Sequence, residues 1–219
     1  MNIASVIEHN FLKPTATIAD IEKVCKEAKE NGFRAVCVPP LFVKKTKEFL
    51  TGSNVKLATV IGFPFGYSAI EAKLAETVLA IVDGADEIDI MINTAALKNA
   101  DWQYLAKEIN SILPIVRNKQ LILKVILETS VLTDAEIKTC CDIYGAAGVD
   151  AVKTSTGFQA GTTVDTVKLL RMHLADAIHI YTGGPISTYE VAGKMIEAGA
   201  NGISIDNSLQ IVKEATVLN

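Results

Sequence analysis

Ala147-Gly148-Val149-Asp150-Ala151-Val152-Lys153 is the stretch that decides the fold. A predicted helix ends at the glycine, and a short apolar strand follows within a few residues. Glycine is the expected residue just past a helix, because it adopts the left-handed backbone there at little steric cost. The same order of helix, glycine and strand recurs at Gly32, Gly84 and Gly199. This repetition predicts a chain in which helices and strands alternate.

The starts of several helices are also visible. Thr17-x-x-Asp20, Ser68-x-x-Glu71 and Thr133-x-x-Glu136 have the spacing of capping boxes, in which side chains satisfy the free N–H groups of a helix N-terminus. Short apolar segments supply about eight strands, nearly all followed by helices. We predict these strands at residues 6–9, 34–38, 56–61, 87–91, 121–127, 151–153, 177–181 and 202–205.

Strands that alternate with helices form a parallel sheet covered on its outside. Eight such units favour a closed (β/α)8 barrel, a TIM barrel, over an open doubly wound sheet. No Gly-rich dinucleotide fingerprint follows a strand, which counts against the open nucleotide-binding fold. The sequence has no linker and no low-complexity segment, so we expect an α/β protein with a single TIM-barrel domain over residues 1–219.

Composition argues against several classes of function. The 219 residues are 49% hydrophobic, which suits one domain with a full core, and the net charge of −4 comes with no basic stripe for a nucleic acid. The apolar runs are too short to span a bilayer and no signal peptide is evident, so we expect no membrane partner. The three histidines complete no zinc site with the cysteines, so no metal is expected. The cysteines lack CxxC spacing and read as buried free thiols of a cytoplasmic protein; they are Cys25, Cys37, Cys140 and Cys141.

In a TIM barrel the functional site lies where the strands end and the loops to the helices begin. Lys153 stands at such a strand end, before a cluster of hydroxyls and a glycine. A buried lysine is costly unless it is paired or neutral, and a neutral amine attacks carbonyl carbon. The alternative is a strand-end lysine whose ammonium reaches solvent. Polar or small residues at the other strand ends are His9, Cys37, Asp89, Asn93, Lys124, Glu128, Thr129, Thr154, Ser155, Thr156, Gly183 and Gly184.

Two more charged residues are predicted beside Lys153. Asp89 and Lys124 fall on the fourth and fifth strands, next to the sixth strand that carries Lys153. A charged residue inside an apolar strand is unusual. Asp89 and Lys124 could take part in catalysis, or they could form an ion pair that only fills the barrel interior.

Other strand-end features also have plain structural alternatives. Cys37 reads first as a core residue. Gly183 and Gly184 could turn backbone N–H groups toward an anion, or they could form a tight turn with Pro185. The residues alone leave both choices open.

Taken together, these windows resemble the deoxyribose-phosphate aldolase family, which are class I aldolases on a (β/α)8 barrel. The similarity runs over nearly the whole chain, and its most specific match is Val152-Lys153-Thr154-Ser155-Thr156-Gly157-Phe158. The other windows follow in the family's order at residues 7–14, 35–39, 60–66, 84–89 and 123–129.

The resemblance implies a lyase of deoxyribonucleotide catabolism that reversibly cleaves 2-deoxyribose 5-phosphate to glyceraldehyde 3-phosphate and acetaldehyde, without metal or organic cofactor. It implies that Lys153 forms the Schiff base, that Asp89 is the acid of a proton relay, and that Lys124 lies near the carbinolamine. Family habit also implies a homo-oligomer, a dimer or larger. The candidates for substrate binding are Cys37, Thr156, Gly157, Gly183 and Gly184.

The implied chemistry sets a condition on Lys153. A neutral amine forms a carbinolamine and then an iminium, which draws electrons from the carbon–carbon bond that breaks. We expect Lys124 to lower the pKa of Lys153 by like-charge repulsion, so that the amine is uncharged when an aldehyde arrives. A fall to near neutrality needs about 4 kcal/mol from burial and neighbouring charges together.

Two windows depart from the family pattern. The family's seventh strand usually ends in a lysine, two small residues and Gly-Gly, but here Ile180 stands at the lysine position. The family's eighth strand ends in a hydroxyl-rich turn for phosphate, whereas Asp206 brings a carboxylate that would repel phosphate. Two alternatives therefore stand: a non-phosphorylated sugar or aldehyde substrate, and a degenerate barrel that binds without turnover. Another sugar-phosphate enzyme on the same barrel would not need the window around Lys153.

Overall fold

Eight parallel strands close into a barrel in sequential order, which confirms the predicted TIM-barrel fold. The computed structural model describes residues 2–184 and 186–218. The strands are β1 (Ile7–Asn10), β2 (Ala35–Val38), β3 (Lys56–Ile61), β4 (Glu87–Met91), β5 (Ile122–Ile126), β6 (Ala151–Lys153), β7 (His179–Gly183) and β8 (Gly202–Ile205).

Helices cover the outside of the barrel. They are α1 (Ile18–Asn31), α2 (Val43–Phe49), α3 (Ile70–Val82), α4 (Thr94–Lys98), α5 (Trp102–Arg117), α6 (Asp134–Ala147), α7 (Val164–His173), α8 (Tyr189–Glu197) and α9 (Ser208–Leu218). Short 3-10 turns lie at Ile3–Val6, Pro40–Phe42 and Thr129–Val131. Across the described ranges, none of the helices combines the length and apolarity that crossing a bilayer requires.

Local signals in the sequence account for most of these boundaries. Thr17 and Thr133 form the predicted capping boxes of α1 and α6. Gly148 ends α6 in the left-handed conformation, with φ +72°. The predicted cap at Ser68 is wrong, because α3 begins after Ala69 and has no side-chain cap. Glu71 is therefore the second residue of α3, one short of the position from which a capping box closes.

The layer between the barrel and the helices is mostly apolar. On α1 the predicted face of Ile21, Val24, Cys25 and Ala28 is buried. All four cysteines are free and buried, as predicted. Burial raises the pKa of Cys25 to about 11, so this thiol stays protonated and unreactive at neutral pH.

Strand β7 lies two residues later in the chain than predicted, and its register with β6 shows which of its side chains faces the barrel interior. Tyr181 pairs with Lys153 in the β6–β7 register, and its ring centroid lies 5.0 Å from the Nζ of Lys124 inside the barrel. Because side chains alternate along a strand, Ile180 faces the helices. Tyr181, and not Ile180, is therefore the inward residue beside Lys153. His179, the first residue of β7, is exposed.

Candidate active site

The barrel brings Asp89, Lys124 and Lys153 together on the adjacent strands β4, β5 and β6. The Nζ of Lys153 donates to Oδ2 of Asp89 at 2.8 Å. The Nζ of Lys124 lies 2.9 Å from the other oxygen, Oδ1. Both lysine side chains are at most 2% exposed, which argues against an ammonium that reaches solvent. One buried carboxylate therefore lies between two buried ammonium groups.

Glu8 on β1 is a second carboxylate at the same point, and no role was predicted for it from the sequence. Its Oε1 accepts from the Nζ of Lys153 at 2.6 Å and from the hydroxyl of Ser204 at 2.6 Å. Its Oε2 accepts from Lys124. The signal in the sequence was weak: Glu8 is a charged residue that directly follows the apolar pair Val6-Ile7 in the predicted first strand.

Arg34 and Glu87 extend the network toward the start of the strands. The guanidinium of Arg34 donates to both oxygens of Glu87, at 2.6 and 2.7 Å. Lys124 also contacts Glu87, with Nζ 2.9 Å from Oε2. We call the six residues the ionic cluster: three cations and three carboxylates, namely Arg34, Lys124, Lys153, Glu8, Glu87 and Asp89. Equal numbers of opposite charges allow the groups to be buried.

The ionic cluster holds Lys153 in its charged form. Burial alone would lower the pKa of Lys153, but Asp89 and Glu8 together outweigh burial and raise it above its usual value. Burial would raise the pKa of Glu8, but Lys124 and Lys153 hold it well below the usual range. Lys124 does lower the pKa of Lys153, as expected, but its effect is smaller than that of the carboxylates. The expectation of an uncharged resting Lys153 is therefore wrong, and the amine must lose a proton before it can attack a carbonyl.

A cavity of about 410 Å³ lies at the C-terminal ends of the strands, and we call it the mouth cavity. The predicted residues Thr156, Gly157 and Gly184 line it. Other residues in its wall include Asn10, Lys13, Ser204 and Asp206.

Gly183 and Cys37 are not among the residues that line the mouth cavity. The N–H of Gly183 donates to the hydroxyl of Thr154 at 3.0 Å, so the predicted use of this group for an anion does not hold in this structure. A Cβ at Gly183 would lie 2.6 Å from the carbonyl oxygen of Ser155, so the close approach of β7 to the loop that follows β6 explains the glycine. Cys37 lies beside the ionic cluster, and burial raises the pKa of its thiol. Pro185 of the predicted turn lies outside the described residues.

Glu128 holds the loop that follows Lys153. Its Oε2 accepts from the N–H of Thr156 at 3.0 Å and from the Thr156 hydroxyl. The same hydroxyl accepts from the N–H of Phe158 at 3.1 Å, and the Phe158 ring packs edge-on against Phe63 at 5.5 Å. This wall of the mouth cavity is thereby tied to the end of β5.

The carboxylates and the thiol also form a candidate metal-ligand set. Glu8, Cys37 and Asp89 offer ligand atoms within 4.8 Å of one another. The same carboxylates pair with the ammonium groups of Lys124 and Lys153, so a metal ion would have to displace them. The absence of a bound metal stays a prediction.

Comparison with known proteins identifies the family. Residues 6–207 match the model of the DeoC/LacD family aldolases, and the chain belongs to this family. The deoxyribose-phosphate aldolase of Caldanaerobacter subterraneus subsp. tengcongensis is 45% identical over 216 residues, which cover 98% of this chain and 94% of that protein. The enzyme of the same name from Caldicellulosiruptor saccharolyticus is 47% identical over 214 residues, 97% of each chain. A deoxyribose phosphate aldolase from Aeropyrum pernix, described as a unique tetrameric structure, superposes with a TM-score of 0.92 at 28% identity and covers 99% of this chain and 92% of its own.

The chain is therefore a class I aldolase, a lyase that breaks a carbon–carbon bond. The roles of individual residues rest on the resemblance and on the geometry of the site.

Proposed function

We propose that this aldolase reversibly cleaves 2-deoxy-D-ribose 5-phosphate to D-glyceraldehyde 3-phosphate and acetaldehyde through a Schiff base on Lys153. Full-length similarity to proteins named deoxyribose-phosphate aldolase supports the substrate. The observation that carries the proposal is the position of the Lys153 amine. It is buried between two carboxylates, and the Glu8 partner Ser204 lines the mouth cavity.

Activation of the nucleophile begins with loss of a proton from the Lys153 ammonium. Asp89 and Glu8 both lie within hydrogen-bond distance, at 2.8 and 2.6 Å, so either carboxylate can take the proton. The neutral amine attacks C1 of the open-chain sugar to give a carbinolamine, and loss of water gives the iminium. Lys124, which contacts both carboxylates, limits the rearrangement of charge while Lys153 becomes neutral.

Cleavage then follows from the electron demand of the iminium. A base removes the proton of the C3 hydroxyl, the C2–C3 bond breaks, and its electrons move into an enamine on Lys153. The C3 carbon leaves as the aldehyde of glyceraldehyde 3-phosphate. Protonation of the enamine at C2, followed by hydrolysis, releases acetaldehyde. We assign the removal of the C3 hydroxyl proton and the protonation of C2 to Asp89 acting with water.

Borohydride reduction in the presence of acetaldehyde tests this mechanism. The expected product is an ethylated Lys153, located by peptide mass mapping. Lys153→Met should abolish the label, whereas Lys194→Met, which removes an exposed lysine of α8, should leave it unchanged. A label at any other lysine in the wild-type protein, or no label at all, rejects the proposal.

One observation favours a second candidate, a substrate without phosphate. The exposed Asp206 carboxylate lines the mouth cavity together with the exposed ammonium of Lys13, so the two charges offset each other. A phosphate would meet repulsion from Asp206 that a free hydroxyl would not. The test compares kcat/KM for 2-deoxyribose 5-phosphate and 2-deoxyribose, in the wild type and in Asp206→Ser. A wild-type preference for the free sugar that Asp206→Ser reverses would establish the second candidate.

A barrel that binds an aldehyde without turnover is the remaining alternative. It predicts a Schiff base on Lys153 or ligand binding with no retro-aldol activity on either sugar. The same assay therefore separates all three outcomes.

We also propose that the protein is a cytoplasmic homo-oligomer. The free buried cysteines fit a reducing compartment, and a related aldolase is described as tetrameric. Helix α3 offers an apolar outer surface, with Val78, Leu79 and Val82 exposed by 45%, 60% and 75%. Sedimentation velocity should show an oligomer that Leu79→Lys weakens and that Glu71→Lys, at the start of the same helix, does not. A monomeric wild-type protein contradicts this proposal.

A further inference from the structure

The ionic cluster is almost entirely buried next to the mouth cavity. Glu8, Asp89 and Lys124 are fully buried, and Lys153 is only 2% exposed. None of them lines the mouth cavity. A reaction that moves protons between the Lys153 amine and a substrate therefore needs a polar group that reaches both regions.

Ser204 on β8 is such a group. The side-chain partners of Glu8 are Arg34, Lys124, Lys153 and Ser204. Over residues 2–184 and 186–218, Ser204 is the one member of this set that also lines the mouth cavity. Across the same described residues, Asp89 contacts the two lysines of the ionic cluster and hydrogen-bonds to no side chain that lines the mouth cavity, so the transfers assigned to it above use water.

We infer that the Ser204 hydroxyl is the proton link between the mouth cavity and the Glu8–Lys153 pair. It is a catalytic residue that acts together with Glu8, and the inference rests on the function proposed above. The Ser204 oxygen lies 2.6 Å from Oε1 of Glu8 and 2.9 Å from Oδ1 of Asn10, which also lines the mouth cavity. A hydroxyl has one hydrogen and two acceptor lone pairs, so it can take a proton on one side and release its own on the other.

Carbinolamine formation supplies the step that needs this link. When the neutral amine attacks, nitrogen must lose one proton and the former carbonyl oxygen must gain one. Glu8 accepts the N–H proton of Lys153 and passes it to Ser204, while Ser204 gives its own hydroxyl proton to the substrate oxygen. Glu8 and Ser204 end as they began, and no other reactant is consumed.

Ser204→Ala removes the hydroxyl and tests the inference. We expect kcat for the retro-aldol reaction to fall about a hundredfold. KM should stay within about twofold and the solvent deuterium isotope effect on kcat should increase, because slow proton transfer then limits the rate. Ser204→Thr retains the hydroxyl and should recover most of the lost rate. Thr59→Val is the control, since it removes a buried hydroxyl on β3 whose partner is the carbonyl of Val38, outside the ionic cluster.

Several results would overturn the inference. They are a kcat of Ser204→Ala close to wild type, an unchanged isotope effect, a loss confined to KM, or a Ser204→Thr variant as slow as Ser204→Ala. Borohydride trapping on the wild-type protein shows whether the proton link through Ser204 is wrong or whether the proposed function itself is wrong. Absence of label on wild-type Lys153 rejects the Schiff base itself, whereas a labelled wild type with a fully active Ser204→Ala rejects only the link. Thermal unfolding of each variant confirms that the compared proteins are folded.

Discussion

Replacing Glu8 by glutamine should destabilise the protein strongly at neutral pH. Glu8→Gln leaves Arg34, Lys124 and Lys153 facing only two carboxylates, so one buried cation is uncompensated. Removing one partner of a buried ion pair typically costs about 3–5 kcal/mol. The alternative is that a lysine loses its proton. At pH 7 this costs about 4.6 kcal/mol, since the usual lysine pKa of about 10.4 lies roughly 3.4 units higher and each unit is about 1.36 kcal/mol.

An uncompensated cation and a deprotonated lysine would thus destabilise the protein by a similar amount. Only deprotonation of a lysine makes the destabilisation depend on pH. If a lysine of the variant is neutral, the penalty relative to wild type shrinks as the pH approaches the lysine pKa of the unfolded chain, about 10.4. We expect a fall in Tm of roughly 6–20 °C at pH 7, at about 2–4 °C for each kcal/mol in a chain of this length, and a smaller fall at pH 10.

Differential scanning calorimetry at the two pH values measures the effect. Glu48→Gln is the control, because Glu48 pairs with Lys45 on the exposed surface of α2, where such pairs contribute little. A Glu8→Gln variant with the Tm of the wild type at pH 7 would refute the idea that the ionic cluster depends on charge balance. A penalty that grows between pH 7 and pH 10 would refute the assignment to a lysine.

The remaining predictions concern pH, a second buried ion pair and one glycine. The carboxylates of the ionic cluster have lowered pKa values, so they stabilise the fold above about pH 4.3 and lose this effect as the pH falls through their pKa values in the folded protein. The lysines of the cluster have raised pKa values, so they stabilise the fold below about pH 10.4. The Tm should therefore be highest from about pH 5 to 10. Lys73 donates to Glu108 at 2.6 Å in the interior, so Lys73→Met should cost about 3–5 kcal/mol in urea unfolding, and adding Glu108→Leu should restore most of it. Gly66→Ala should cost at least about 2 kcal/mol, because φ is +72° and the new Cβ would lie 1.7 Å from the carbonyl oxygen of Ile92, whereas Gly193→Ala in open space on α8 should stabilise the protein in the same assay.

Local signals were enough to predict the architecture. A glycine such as Gly148 ends a helix because of its own backbone freedom, and Thr133 starts one through a hydrogen bond that spans three residues. Sequential strand order also fixes which strands are neighbours, and the closeness of Asp89, Lys124 and Lys153 was predictable for that reason.

Contacts across the barrel were harder to predict from the sequence. Glu8 lies 145 residues from Lys153 in the chain, and they meet because β1 closes the barrel against β8. The position of β7 was wrong by two residues, because the apolar run from Ala177 to Tyr181 marks no single start for the strand. That error leaves the set of inward-facing side chains unchanged, because side chains repeat every two residues along a strand. Ile180 was placed at the lysine position by matching Gly183-Gly184 to the family's Gly-Gly, and the observed register puts Tyr181 beside Lys153 instead.

The charge balance of the ionic cluster gives a physical reason for an aromatic residue at that position. A lysine at Tyr181 would be a fourth cation among three carboxylates, and burying it would require either a further anion or loss of its proton. The Tyr181 ring adds no charge, and its centroid lies 4.9 Å from the guanidinium carbon of Arg34 and 5.0 Å from the Nζ of Lys124, within the range of cation–π attraction. The Tyr181 ring thus stabilises Arg34 and Lys124. Asp89 and Glu8 remain the proton acceptors that contact Lys153. The pKa of Lys153 is raised as a result, so its activation depends on proton transfer within the ionic cluster and not on a resting neutral amine.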